Sequence, residues 1–171
     1  MDTFYKWMES PVGKLLLVAD EQGLIEVAFA KGRTSPEMDG GPLREPARQL
    51  RAFFAGELRD FDLPLNPRGT AFQQRVWKSL CEIPYGETIS YGQLARRLGN
   101  PAASRAVGLA NGANPIAIVI PCHRVIGSNG KLTGYGGGLD NKRWLLDFER
   151  NQLFGQHSVH ELNSHGSFAD G

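Results

Sequence analysis

The chain has 171 residues, 41% of them hydrophobic and 22% charged, and carries a net charge of +1. This is ordinary globular composition with enough apolar material for a core, and no apolar run approaches the roughly 18 residues that would span a bilayer. Two cysteines, Cys81 and Cys122, exclude a disulfide framework and a four-ligand zinc set.

Taken in order, Phe4–Ser10, Lys14–Ala19 and Leu24–Phe29 are short apolar segments separated by Ser-Pro-Val-Gly and Asp-Glu-Gln-Gly, which predicts an antiparallel three-stranded meander. Residues 31–41 form a polar loop. Leu43, Ala47, Leu50 and Phe54 then recur at helical spacing until Gly56. Residues 57–69, with Pro64 and Pro67, read as a connector. The first 69 residues carry no catalytic constellation and are expected to be a small α/β unit. Met1–Trp7 lacks a basic-then-apolar leader pattern, so a cytoplasmic protein is expected.

From residue 70 the chain changes character. Thr70 with Gln73 and Ser90 with Gln93 are capping-box signals ahead of two helices, the second running Tyr91–Leu98 and stopping at Gly99. Asn100 is expected to cap a third helix with Pro101 in its first position, ending near Asn111. Two short helices joined by Gly-Asn make a helix-turn-helix pattern. Arg105 stands there among small residues, including Ser104 and Ala106, on a face that can approach another surface closely. Contact with DNA and plain helix packing both fit that pattern. Residues 1–69 hold 9 Lys and Arg against 11 Asp and Glu, residues 70–150 hold 10 against 5, and residues 151–171 hold none against 2. The cationic excess fits a polyanionic partner or a merely solvated basic surface.

Ile116–Ile120 is apolar and β-branched, which predicts a buried extended segment. Pro121-Cys122-His123-Arg124 interrupts it with a titratable ring and a fixed cation, surroundings that favour thiolate and a reactive Cys122 over a packing one. In an extended segment neighbouring side chains point to opposite faces. His123 would then reach the sulfur only through a bend or a bridging water. Gly127–Gly138 is glycine-rich without the Lys-Ser/Thr pair of a P-loop, so it is expected to wall a flat pocket with Tyr135 as an aromatic lid. A last helix begins at Asp140, carries Trp144, Leu145 and Phe148 inward, and places Glu149 near its end. Residues 151–171 are expected to be a disordered tail.

Pro121-Cys122-His123-Arg124-Val125-Ile126-Gly127, with Ser104–Gly108, Asn114-Pro115 and Thr133-Gly134-Tyr135, resembles the O6-alkylguanine-DNA alkyltransferases over about residues 3–150. The resemblance implies an α+β protein. An RNase-H-like domain with an antiparallel sheet would occupy residues 1–69, and a winged helix-turn-helix domain residues 70–150. It implies irreversible, stoichiometric transfer of an alkyl group, without a cofactor, from O6-alkylguanine and O4-alkylthymine in double-stranded DNA to Cys122. The protein would act as a monomer, cooperatively on DNA, with no membrane partner. His123 would act as base through a bridging water, Glu149 would orient its ring, and Asn114 would support the site by hydrogen bonding. Tyr91 would touch the flipped nucleotide and act as hydroxyl donor, while Arg105 fills the gap left in the duplex. Ser104, Ala106 and Arg124 are further DNA contacts by the same resemblance, and Val125, Tyr135 and Gly136 are walls of the base pocket. The zinc site of some members is not expected, because no cysteine or histidine precedes Cys81. A lesion-binding protein that repairs nothing and a multiple-turnover Cys-His hydrolase are the rival readings.

Overall fold

The computed structural model describes residues 1–165, with side chains through Gly155. The meander is present as β1 (Phe4–Met8), β2 (Leu15–Asp20) and β3 (Gly23–Phe29), antiparallel in the order β1-β2-β3. Phe4 lies opposite Ala19 and Leu15 opposite Phe29, with an irregularity at Val18/Ala19. Every residue of β2 is buried, as a central strand requires. Helix α1 (Arg44–Phe54) turns Ala47, Leu50 and Phe53 into the core, three residues apart and so on one face.

Helix α2 (Ala71–Leu80) starts at Thr70, whose hydroxyl accepts from Gln73 N while the Gln73 side chain accepts from Thr70 N. The same reciprocal box at Ser90 and Gln93 starts α3 (Tyr91–Arg97), just after the two-residue strand β4 (Ile89–Ser90). Gly99, at φ +77°, takes the left-handed conformation that ends α3 and turns the chain toward α4 (Ser104–Gly112). The third helix does not begin as expected. Asn100 makes no side-chain cap, and Pro101–Ala103 form a 3₁₀ turn before α4, where proline satisfies the tighter turn without needing an N–H donor. Strand β5 (Val125–Ile126) pairs in parallel with β4. Helix α5 runs Leu139–His165.

Two expectations are overturned. Ile116–Ile120 is buried but not extended. Ile116 makes a single parallel bridge with Val27, and the chain then folds back with Ile118 at φ +74°. Val119 N donates to Ala117 O at 2.8 Å, so Ile118 is the centre of a γ-turn of the strained, positive-φ kind. The reading failed because β-branched content reports burial as much as extension. The tail from residue 151 is likewise helical through His165, and residues 166–171 lie outside the described ones. Leu153 packs on the core, and any Cβ on Gly86 would meet its side chain at 2.2 Å. Glu149 therefore sits inside a helix and not beside its negative terminus.

Both halves share one core. Phe53 touches Phe61, Tyr85 and Phe148, with ring centroids 5.4, 6.0 and 5.8 Å away. Val27 N donates to Pro115 O and Ala117 N to Val27 O, both at 3.0 Å, which ties β3 to the segment before Cys122. Among the described residues no helix is long and apolar enough to cross a membrane.

Candidate active site

Cys122, His123 and Arg124 form a 3₁₀ turn between the γ-turn and β5. Pro121, at φ −81° and ψ 62°, bends the chain so that Cys122 N donates to Ile120 O at 2.7 Å. Asn114 ties the segment at both ends: Nδ2 donates to Ile120 O (2.8 Å) and Oδ1 accepts from Ile116 N (2.9 Å). Three residues per turn in a 3₁₀ segment send successive side chains about 120° apart. Cysteine, histidine and arginine consequently leave the turn in three directions.

The histidine and the arginine both go to α5. His123 Nε2 donates to Glu149 Oε2 at 2.7 Å. Arg124 donates from Nε to Oε1 and from Nη2 to Oε2, both at 2.9 Å, and Gly86 N donates to Oε1 at 3.0 Å. The four donors fill the four acceptor sites of one carboxylate. Burial would raise the Glu149 carboxyl, but the hydrogen bonds and charges of His123 and Arg124 outweigh it and hold it at about 2. An ionised Glu149 fixes the His123 proton on Nε2. Burial lowers the His123 pKa against the opposing pull of Glu149, so the ring is neutral. Its Nδ1 lone pair is buried with no hydrogen-bond partner among the described residues.

Arg124 does not face a DNA surface. It is 5% exposed, its Nη1 donates to Ile83 O at 2.7 Å, and its guanidinium lies 5.6 Å from the Tyr85 ring centroid. The expectation of a DNA contact fails because α5 supplies the carboxylate that a buried guanidinium needs. Val125 is buried in β5 opposite Ile89 and is absent from the pocket lining. The expected thiolate-favouring neighbours also fail. With His123 and Arg124 turned to Glu149, burial pushes the Cys122 thiol up, opposed by Asn114 and the charge of Lys142.

Cys122, 6% exposed, lies on a cavity of about 280 Å³ that both halves line. Asn111, Asn114, Tyr135 and Gly136 contribute from the second half, and Phe29 from β3. Any Cβ on Gly137 would lie 2.5 Å from the Phe29 ring, so the glycine loop can lie flat on β3. Tyr135 then meets Phe29 edge-on at 5.6 Å, with its hydroxyl buried and without a hydrogen-bond partner among the described residues. Arg33 and Glu26, paired at 2.9 Å, also line the cavity.

Lys142 was missed by sequence reasoning. It is fully buried, donates from Nζ to Thr133 O at 2.7 Å, and is lowered by burial to about 8 despite the opposing influence of Cys122. Its spacing of seven from Glu149, with Leu145 between, marks one inward face of α5 and could have revealed it. Tyr91 lies outside the cavity lining, at the start of α3, with its hydroxyl 3.4 Å from Thr133 O. Arg105 and Ala106 are exposed on α4 and Ser104 is half-buried, so the small-residue face is open to a partner. Among the described residues no group of three His, Cys, Asp or Glu side chains could hold a metal ion.

Comparison with known proteins gives these features a family. A model for the 6-O-methylguanine DNA methyltransferase ribonuclease-like domain matches residues 3–67, and one for the DNA binding domain of the same proteins matches residues 71–151. The methylated-DNA–protein-cysteine methyltransferase of Methanosarcina acetivorans is 57% identical over 152 residues, which is 85% of this chain and 97% of that relative. A crystal structure of the Mycobacterium tuberculosis O6-methylguanine methyltransferase superposes with a TM-score of 0.82 at 51% identity, covering 88% of this chain and 94% of the other. A crystal structure of the M. tuberculosis protein OGT in complex with DNA gives 0.81 at 53% identity, covering 86% and 93%. An antiparallel ribonuclease-like half, a helix-turn-helix half and a buried Pro-Cys-His-Arg turn thus fall into one pattern, and the chain belongs to the 6-O-methylguanine DNA methyltransferase family.

Proposed function

We propose that this protein repairs DNA by moving the alkyl group of O6-alkylguanine onto Sγ of Cys122, once per molecule. The observation that carries the reading is a buried cysteine at a cavity of about 280 Å³, beside a neutral histidine whose free Nδ1 is set by an ionised glutamate. Such a cavity accepts a single flat base and not a duplex, so the lesion must be turned out of the stack, at a cost of a few kcal/mol. Arg105, alone on the open small-residue face of α4, takes the vacated place in the duplex. Exposed Arg96, Arg97 and Lys131 hold phosphates.

In the chemical step the S–C bond forms as the C–O6 bond breaks. The thiol proton passes toward His123 Nδ1 through a water, and the departing guanine regains a proton at N1, so thiol and lesion become thioether and guanine. Because the resting thiol is held up by burial, the rate depends on positioning within the cavity and on base assistance. Lys142 favours the developing thiolate charge. Tyr91, through Thr133 and the loop it borders, supports the base from the groove side. O4-alkylthymine presents the same kind of alkyl carbon and belongs to the same reading. Residues 1–69 and 70–150 are two units built on one core, and the protein acts as a monomer.

Intact-mass and peptide analysis after incubation with duplex carrying one O6-methylguanine tests this. One methyl group per protein, on Cys122, is expected, and Cys122→Ser should bind DNA without gaining it. Label on Cys81, or more than one equivalent repaired, would overturn the reading. The same measurement separates it from lesion binding without repair and from hydrolysis with turnover.

A further inference from the structure

The half of the chain that matches a DNA binding domain carries one large apolar side chain with no place in the core. Leu109 of α4 is 72% exposed, and of the large apolar side chains described only that of Met1 is more open. Single exposed leucines are ordinary, so its position on the helix decides whether this one matters. At about 100° per residue, Leu109 falls about 40° from Arg105 and one turn further on. Val107, Ala110 and Asn111 bury the opposite side of the helix. Arg105 is the sole cation of α4 and Leu109 its sole large apolar group outside the core, while Ala106 and Gly112 beside them are small and exposed.

The fold does not require leucine here. Alanine forms helix better and glutamine about as well, and Leu109 belongs neither to the core nor to the residues packed against it. Against DNA the side chain has a use. Arg105 takes the place that the everted nucleotide leaves, so the surface beside Arg105 meets the base pairs beside the lesion. Four residues at about 1.5 Å each carry Leu109 about 6 Å along the helix, less than two base-pair steps of about 3.4 Å. With neither charge nor hydrogen-bonding group, it cannot hold a phosphate or read a base edge through donors and acceptors. It can press against a base step and loosen its stacking, as the apolar wedges of groove-binding proteins do. The cost of that depends on sequence, because pyrimidine–purine steps unstack easily and A-tracts are stiff.

Resting on the alkyl-transfer reading, we infer that Leu109 is a specificity-determining residue, a wedge on the base step beside the lesion that makes eversion depend on the flanking sequence. It reaches the chemistry only through eversion, since it does not line the cavity.

Single-turnover transfer from duplexes that carry one O6-methylguanine and differ only in the two steps on either side tests the assignment. Free O6-benzylguanine serves as the substrate that needs no eversion. The unsubstituted protein should repair lesions flanked by TA or CA steps roughly tenfold faster than those flanked by AA steps. Leu109→Gln, matched in length and helix propensity, should slow the fast duplexes until the preference is about twofold or less. Its melting temperature, its rate with benzylguanine and its salt slope of DNA binding should stay as they were, because no phosphate contact is lost. Leu109→Met, which remains apolar, should keep the preference. No flanking preference in the unsubstituted protein, one that Leu109→Gln retains, or one that both variants lose alike overturns the role of Leu109. Equal losses on duplex and free base overturn it as well. Absence of transfer to the unsubstituted protein from duplex and free base alike would instead defeat the alkyl-transfer reading itself.

Discussion

At the scale of residues, Arg124 and Lys142 show how position along the chain can mislead about direction in space. Arg124 lies two residues from Cys122 in sequence, yet its guanidinium goes to Glu149 and Ile83 O. Arg124→Ala should destabilise the protein by about 3–5 kcal/mol, the usual cost of leaving a buried partner charge alone. The salt dependence of DNA binding by the folded variant should not change. A shallower salt slope with unchanged unfolding would return Arg124 to the DNA surface. Lys142 is fully buried with a folded pKa of about 8 against an ordinary 10.5. Below pH 8 both folded and unfolded chains hold its proton and the folded state bears the whole penalty. Between 8 and 10.5 only the unfolded chain still holds it, so this group makes stability rise with pH, by about 3 kcal/mol at most. Lys142→Met should therefore gain on the unsubstituted protein at pH 7.5 and lose that gain by pH 10.5 in urea unfolding; a pH-independent difference would contradict the assignment. Cys122 could be found from the motif itself, and Glu149 from the resemblance that the motif carries. Lys142 was marked only by its spacing from Leu145 and Glu149 on α5; a lysine on a helix is ordinarily solvated, and the bond to Thr133 O is what establishes its inward place.

At the scale of elements, what was legible was what is local. The capping boxes at Thr70 and Ser90 are written in four residues each, and both are present. The glycine that ends α3 is read the same way. The turn before Cys122 is different, because Ile118 takes a positive φ that its own side chain opposes, and only the surrounding bonds from Val27 and Asn114 impose it. This gives a measurable asymmetry among three isoleucines that are all at most 1% exposed, Ile116, Ile118 and Ile120. Each replaced by glycine loses similar buried area, but Ile118→Gly also relieves backbone strain of about 1–3 kcal/mol. Its unfolding free energy should fall by roughly 1–2 kcal/mol less than those of the other two; equal losses would mean the turn is unstrained. The length of α5 was likewise illegible, because Leu153-Phe154 reads as a short apolar pair in a polar stretch until Gly86 is seen to leave room for Leu153.

At the scale of the whole molecule, charge counted along the chain overstates the surface offered to DNA. Of the ten cations in residues 70–150, Arg124 and Lys142 are buried. The eight that remain, Arg105 on the open face of α4 among them, are exposed. Arg105→Ala should slow transfer from a duplex lesion by about tenfold or more, in keeping with the cost of extruding a base. Transfer from free O6-benzylguanine, which needs no extrusion, should be unchanged. Equal losses on the two substrates, followed by loss of thiol, would assign Arg105 to the fold.

The bridge between Val27 and residues 115–117 makes the two halves chemically unequal. The helices that face a partner are complete within the second half, but the turn that aims the thiol borrows hydrogen bonds from the first, and the cavity borrows Phe29. A chain cleaved in the connector would be chemically silent until its two pieces met. Because the thioether cannot be undone, each mark on Cys122 would record one such meeting, making the nicked protein a permanent tally of encounters between its own pieces.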